Sequence, residues 1–114
     1  MNIKFKQRIT TDTIQVTCRD EGGISYEELY KRHRQKGDFH VDVHYFIDRM
    51  GFTHEGRQET AVAGIDLEEI ANTLHILVDI EGKLNDCQRV ALHELLEVLQ
   101  MRYPNAKLRK EEFN

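Results

Sequence analysis

The stretch Phe39-His40-Val41-Asp42-Val43-His44-Tyr45-Phe46-Ile47-Asp48 sets the fold class. Phe39, Val41, Val43, Tyr45 and Ile47 alternate with His40, Asp42, His44, Phe46 and Asp48. A period of two puts successive side chains on opposite faces of a strand. Met50-Gly51 follows and suits a tight turn into a second short strand near Phe52 to Glu55.

Upstream, Ile14, Val16 and Cys18 alternate with Thr13, Gln15 and Thr17, the pattern of a half-buried strand. Gly22-Gly23 ends it. Ser25 and Glu28 have capping-box spacing, so a helix is expected through about Lys36, with Gly37 as its stop. Downstream, Asp66 and Glu69 repeat that spacing and predict a short helix from Asp66 to Ala71. Leu74 to Ile80 is rich in branched apolar residues and reads as a buried strand. Asn85 and Gln88 open a long amphipathic helix with Val90, Ala91, Leu95, Val98 and Leu99 as its apolar positions. Pro104 halts it, and a basic tail follows. The order predicts one α/β (α+β) domain over residues 1–114, a single mixed β-sheet flanked by helices.

Composition narrows the function classes. Of the 114 residues, 39% are hydrophobic and 32% charged, as in an ordinary soluble globular domain. A net charge of −4 disfavours nucleic acid as a partner. No apolar run is long enough for a membrane span. Met1-Asn2-Ile3-Lys4-Phe5-Lys6 has no apolar run behind its charges, so no secretory signal is expected. Cys18 and Cys87 make neither a disulfide framework nor a metal motif, and a reducing cytoplasm is the expected compartment.

Several segments together resemble the zinc-dependent N-acetylmuramoyl-L-alanine amidases and the related peptidoglycan recognition proteins. They are Phe5-Lys6-Gln7-Arg8, Ile14-Gln15-Val16-Thr17-Cys18 and His33-Arg34-Gln35-Lys36-Gly37. Val41 to Ile47, Gly51, Gly56-Arg57-Gln58-Glu59-Thr60-Ala61-Val62 and Asn72-Thr73-Leu74 continue the series, and the final long helix completes it. The resemblance runs from about Ile3 to Leu108, and its order and spacing are more specific than any single piece. It implies the amidase fold, and it implies a phage or mobile-element origin.

The resemblance also implies a zinc site made of two histidines and a third ligand, with water in the fourth position. The first of those histidines falls at Thr17, whose hydroxyl is a poor zinc ligand. The other two are expected in a strand and loop after Leu108, where Arg109-Lys110-Glu111-Glu112-Phe113 contains no His or Cys. An assisting tyrosine before the strand histidine matched by His44 falls at Val43. A histidine bordering the substrate groove falls at Ile65. The chain therefore reads as a degenerate amidase with no catalytic residues and no cofactor, lacking the final metal-ligand segment. Zinc enters only if these ligands are misplaced. The expected cleft residues are Thr17, Val43, His44, Ile65, Asn72 and His75.

Other constellations read as structural. His40, Asp42 and His44 share a strand face, but a spacing of about 6.5–7 Å between alternate residues keeps three from converging on one ion. His33 is expected to pack or cap, His54 to be solvated and His93 to lie on the surface. His75 interrupts an apolar strand and is either buried and hydrogen-bonded or part of a cleft. Cys18 reads as a small core residue. No glycine-rich phosphate loop or nucleophile elbow is present. Lys4, Lys6 and Arg8, then Lys31, Arg32, Arg34 and Lys36, then Lys107, Arg109 and Lys110 are solvated faces or a patch for an acidic partner.

Three functions follow. The first is a catalytically inactive protein that binds a partner protein, as regulator or inhibitor. The family includes a phage lysozyme that binds and inhibits an RNA polymerase. The second is a binder of peptidoglycan fragments in a groove between the first helix, Thr17, Val43 and the Ile65 loop. The third is an active amidase using His40, His44 or His75. A homodimer covering the apolar patch left by the absent segment is a further expectation.

Overall fold

A computed structural model describes residues 10–35, 43–61 and 72–113. Its elements are β1 (Thr13–Arg19), α1 (Tyr26–Gln35), β2 (Tyr45–Ile47), β3 (Thr53–Glu55), β4 (Thr73–Asp79), α2 (Asp86–Arg102) and β5 (Lys107–Phe113). The five strands form one sheet in the order β3-β2-β4-β1-β5. β2, β4, β1 and β5 run parallel, and β3 turns back antiparallel on β2. The expected mixed α/β sheet is present.

Helices cover both faces. Ile14, Val16 and Cys18 of β1 join Tyr45, Ile47, Leu74, Ile76 and Val78 beneath α2. Leu77 and Phe46 point the other way and pack with Leu29 of α1 and Ile24. Each fully buried Leu or Phe contributes about 1.5–3 kcal/mol through the water it sheds. Burial pushes the Cys18 thiol up, so it stays protonated and inert in this core.

The structure corrects four expectations. The strand through Asp48 is shorter: among the described residues only Tyr45–Ile47 is strand, and Val43 and His44 lie in a bend. All three β2 residues are buried, because an interior strand with helices on both faces has no polar side. The core stripe of α2 is also shifted. It buries Gln88, Leu92 and Leu99, with Ala91, Leu95 and Leu96 beside them. Val90 and Val98 face outward, 58% and 45% exposed. Thirdly, the basic tail is strand β5, in full parallel register with β1 from Thr13↔Lys107 to Arg19↔Phe113. Charged side chains suit a sheet edge, where they oppose pairing with another chain. His54 is the fourth, half-buried between Tyr26 and Phe46, with ring centroids 5.4 and 5.9 Å away. Its Nε2 lies 2.9 Å from Asp48 Oδ2. His33 is buried and His93 exposed, as expected. The Asp66–Ala71 helix, Ile65, His40, Asp42, Lys36, Gly37 and Lys4 to Arg8 lie outside the described residues.

Both helix starts follow the capping rules. Ser25 Oγ accepts from Glu28 N at 3.2 Å. Asn85 and Gln88 form a complete capping box. Gln88 does more, because its fully buried Nε2 donates to Asp48 O at 3.0 Å and to Asp79 O at 2.6 Å. One side chain thus ties the helix start to the trailing ends of β2 and β4.

Candidate functional site

The α1 face of the sheet is assembled by strand register. Thr17 pairs with Leu77 on one side and Glu111 on the other, and Leu77 pairs with Phe46. Glu111, Thr17, Leu77 and Phe46 therefore form one row across four strands. Thr17 is half-buried, between a carboxylate and an apolar side chain. Glu111 lies 3.7 Å from Arg109 of its own strand. Val43 packs at the edge of the Leu29, Phe46 and Leu77 cluster.

His44 is fully buried. Its Nδ1 accepts from His75 N at 2.9 Å. That assignment leaves the proton on Nε2, which donates to Ala61 O at 2.6 Å. Both ring nitrogens are thus engaged inside the fold. His75 is also buried, and its ring stacks at 6.1 Å on that of His44. Asn72 sits apart, at the leading end of β4, where its Oδ1 shares the Thr10 hydroxyl with Asp12. The structure brings His44 and His75 together but seals them, and Asn72 joins a different surface.

Position of α1 over this face depends on Asp79, at the trailing end of β4. Its carboxylate is wholly buried. Oδ1 accepts from Glu21 N at 2.8 Å and Oδ2 from Ile24 N at 3.2 Å, and Arg49 Nε lies 3.3 Å from Oδ1. Arg49 also reaches Asp20 and Glu81. The loop that launches α1 is thus pinned to β4.

A second polar knot fixes the Gln58 to Ala61 turn. Glu59 Oε2 accepts from the Tyr45 hydroxyl and from Arg102, and Oε1 accepts from the Tyr103 hydroxyl at 2.8 Å. Burial alone would raise the Glu59 carboxyl; hydrogen bonds from Tyr45, Arg102 and Tyr103 outweigh it, so the net shift is downward. Burial and then Glu59 push the Tyr45 hydroxyl up. A depressed carboxyl stabilises the fold above the ordinary carboxylate range and loses that contribution as pH falls through its folded value. Glu59→Gln is expected to cost about 1–2 kcal/mol at pH 7, because one donor loses its oxygen. Urea melts at pH 7 and pH 3 check this, and the gap between variant and wild type should narrow in acid.

Neither knot was legible in the sequence, because their members come from β2, α2, β4 and several loops. The Asn85 and Gln88 spacing was the nearest signal. Among the described residues, no three His, Cys, Asp or Glu side chains are grouped so as to hold a metal ion.

No family model matches the chain. The endolysin of Escherichia phage T7 is 31% identical over 118 residues, covering 94% of this chain and 78% of the phage protein. The endolysin of Enterobacteria phage T3 is 30% identical with the same coverage. Among solved structures, the N-acetylmuramoyl-L-alanine amidase LysC from Clostridium intestinale superposes with a TM-score of 0.77 at 18% identity. That match covers 96% of this chain and 78% of the amidase. The chain belongs to the family of these phage endolysins, and it has the fold of the amidases and peptidoglycan recognition proteins. Drosophila peptidoglycan recognition protein SD shares the family's fold, with a TM-score of 0.76 at 18% identity, over 96% of this chain and 74% of its own.

Within that family the resemblance puts a zinc histidine at Thr17. Among the described residues, those around Thr17 do not fit zinc. A threonine hydroxyl is a weak ligand, Leu77 offers none, and the Glu111 carboxylate next to it is one ligand where three are needed. Val43 cannot donate a proton as the family's tyrosine would. No helix among the described residues is long and apolar enough to cross a membrane.

Proposed function

We propose that this chain is a non-catalytic member of the amidase family that acts by binding a partner protein. The row Glu111-Thr17-Leu77 carries the reading. A hydrolytic zinc needs three nitrogen, sulfur or carboxylate ligands converging on one point, and a bound water made acidic by them. Thr17 and Leu77 supply neither ligand nor acid–base group. Of the histidines beside this row, His44 spends both nitrogens on Ala61 and His75, and His54 Nε2 lies 2.9 Å from Asp48 Oδ2. A scaffold retained without its chemistry supports a role in binding, which fold alone would not assign.

Exposed apolar side chains support a protein partner. Met50 and Phe52 stand on the β2–β3 turn, 73% and 60% exposed, and Met101 on α2 is 84% exposed. The proposed setting is the cytoplasm, where the two free cysteines stay reduced.

Zinc analysis of protein purified with added zinc, paired with an amidase assay on peptidoglycan, tests this reading. Zinc well below one per chain and no released stem peptide are expected. Stoichiometric zinc with stem-peptide release would overturn it in favour of an active amidase.

The likeness to peptidoglycan recognition proteins supports a second reading, a binder of peptidoglycan fragments. Titration with muropeptides separates the two. Saturable binding supports this second reading, and no binding at millimolar concentration removes it.

A further inference from the structure

The described residues line an open cavity of about 650 Å³ at the leading ends of β1, β4 and β5. It lies on the same face of the sheet as the row that would carry zinc, displaced toward the leading ends of the strands, and its Arg109 is 3.7 Å from Glu111 of that row. Thr13, in its wall, is four residues from Thr17 along β1, or about 13 Å at the rise of a strand. Its volume is within the range of small-molecule sites.

The lining is mixed, with Leu108 supplying apolar surface and two cations among its polar groups. Lys107 and Arg109 project from alternate positions of β5, on the face that also carries Thr13. Asn72 and Asn105 add side-chain amides. The Thr10 hydroxyl lies 3.4 Å from Asn72 Oδ1, so the oxygen of that amide is turned to Thr10 and its NH2 to the other side. Asp12 is the one carboxylate in the wall, and its Oδ1 takes the same Thr10 hydroxyl at 3.1 Å. Two exposed cations, Lys107 and the Arg109 that also lies 3.7 Å from Glu111, join two amides, the Thr13 hydroxyl and one carboxylate in a surface for a ligand with an anionic end and hydroxyl groups. The guanidinium and ammonium would take the anion through charge-assisted hydrogen bonds. The remaining oxygen of Asp12 would accept from a hydroxyl.

We propose that this cavity binds a small hydroxylated organic anion, either a sugar phosphate or a sugar acid. The proposal stands on the cavity and its lining, and it is independent of whether the protein binds a partner or peptidoglycan. A chain of net charge −4 offers no general attraction to anions, so saturable binding would have to be local.

Amide chemical shifts of the full chain, followed during titration with glucose 6-phosphate, glucuronate and uncharged glucose, test it. Saturable shifts confined to the segments around Asp12, Asn72 and Asn105 to Arg109 are expected with one or both anions. The stronger anion identifies the ligand as phosphate ester or carboxylate. Glucose should leave the spectrum unchanged. Lys107→Gln and Arg109→Gln should each weaken binding about tenfold, the loss of one charge-assisted hydrogen bond. Both side chains are exposed, so unchanged melting temperatures should show that the fold survives. Shifts that never saturate, that appear equally with glucose, or that persist in the double variant overturn the proposal.

Discussion

Asp79→Ala is expected to lower the unfolding free energy by about 3–5 kcal/mol, the usual scale for removing one member of a buried charged network. The carboxylate has no solvent exposure and serves three donors. Alanine leaves Glu21 N and Ile24 N without their acceptor, and each unsatisfied buried amide costs about 1–3 kcal/mol. Arg49 keeps Asp20 and Glu81, so its own loss is the smaller part. Asparagine should rescue little. The two amides bond to different oxygens, and an asparagine has one oxygen and one NH2. One backbone N–H would therefore face another donor. Equilibrium urea unfolding of wild type, Asp79→Ala and Asp79→Asn checks the magnitudes. Hydrogen exchange should also quicken at the start of α1, which this loop launches. An Asp79→Asn variant as stable as wild type would contradict the two-oxygen account.

Gly51→Ala is expected to cost about 3 kcal/mol, from backbone strain and steric overlap together. Gly51 holds φ at +86°, where a Cβ alone costs about 1–2 kcal/mol. That Cβ would also stand 2.7 Å from Cys87 Cβ and 2.9 Å from the Cys87 carbonyl carbon and oxygen. Two of those atoms are helix backbone, which cannot rotate away. Asn85 Nδ2 donates to Arg49 O at 2.7 Å, so the turn and the start of α2 are tied and neither can shift alone. Gly82 is the control. Its φ is +79° but nothing lies within 4 Å of its added Cβ. Gly82→Ala should carry only the strain, about 1–2 kcal/mol. Thermal unfolding of the two variants should separate them by several degrees, since about 1 kcal/mol shifts the midpoint of a domain this size by a few degrees. Equal melting temperatures would refute the steric part.

The fold was largely legible because its signals are local. Ile14 to Cys18 and Leu74 to Ile80 read as strands from spacing and branched apolar content, and both are in the sheet. Ser25 and Asn85 marked helix starts through bonds spanning three residues. Strand β5 escaped because an edge strand buries little, so Lys107-Leu108-Arg109-Lys110-Glu111-Glu112 carries no apolar alternation. The phase of α2 was misread for a related reason. Val90 and Val98 look like core residues, and only the direction from which the sheet approaches exposes them.

The sequence by itself determined the family resemblance and the order of the described elements through α2, and it placed Thr17 and Val43 where that resemblance expects the family's chemistry. The tertiary structure alone decided what surrounds them. It set Glu111 beside Thr17, closed the rings of His44 and His75 inside the sheet, and joined Glu59 to Tyr45, Arg102 and Tyr103. It also gathered Asp12, Asn72, Lys107 and Arg109 around one cavity. Periodicity and capping act over a few residues, so they can be read along a chain. These groupings depend on parallel register between strands far apart in sequence, which is set by packing the whole core.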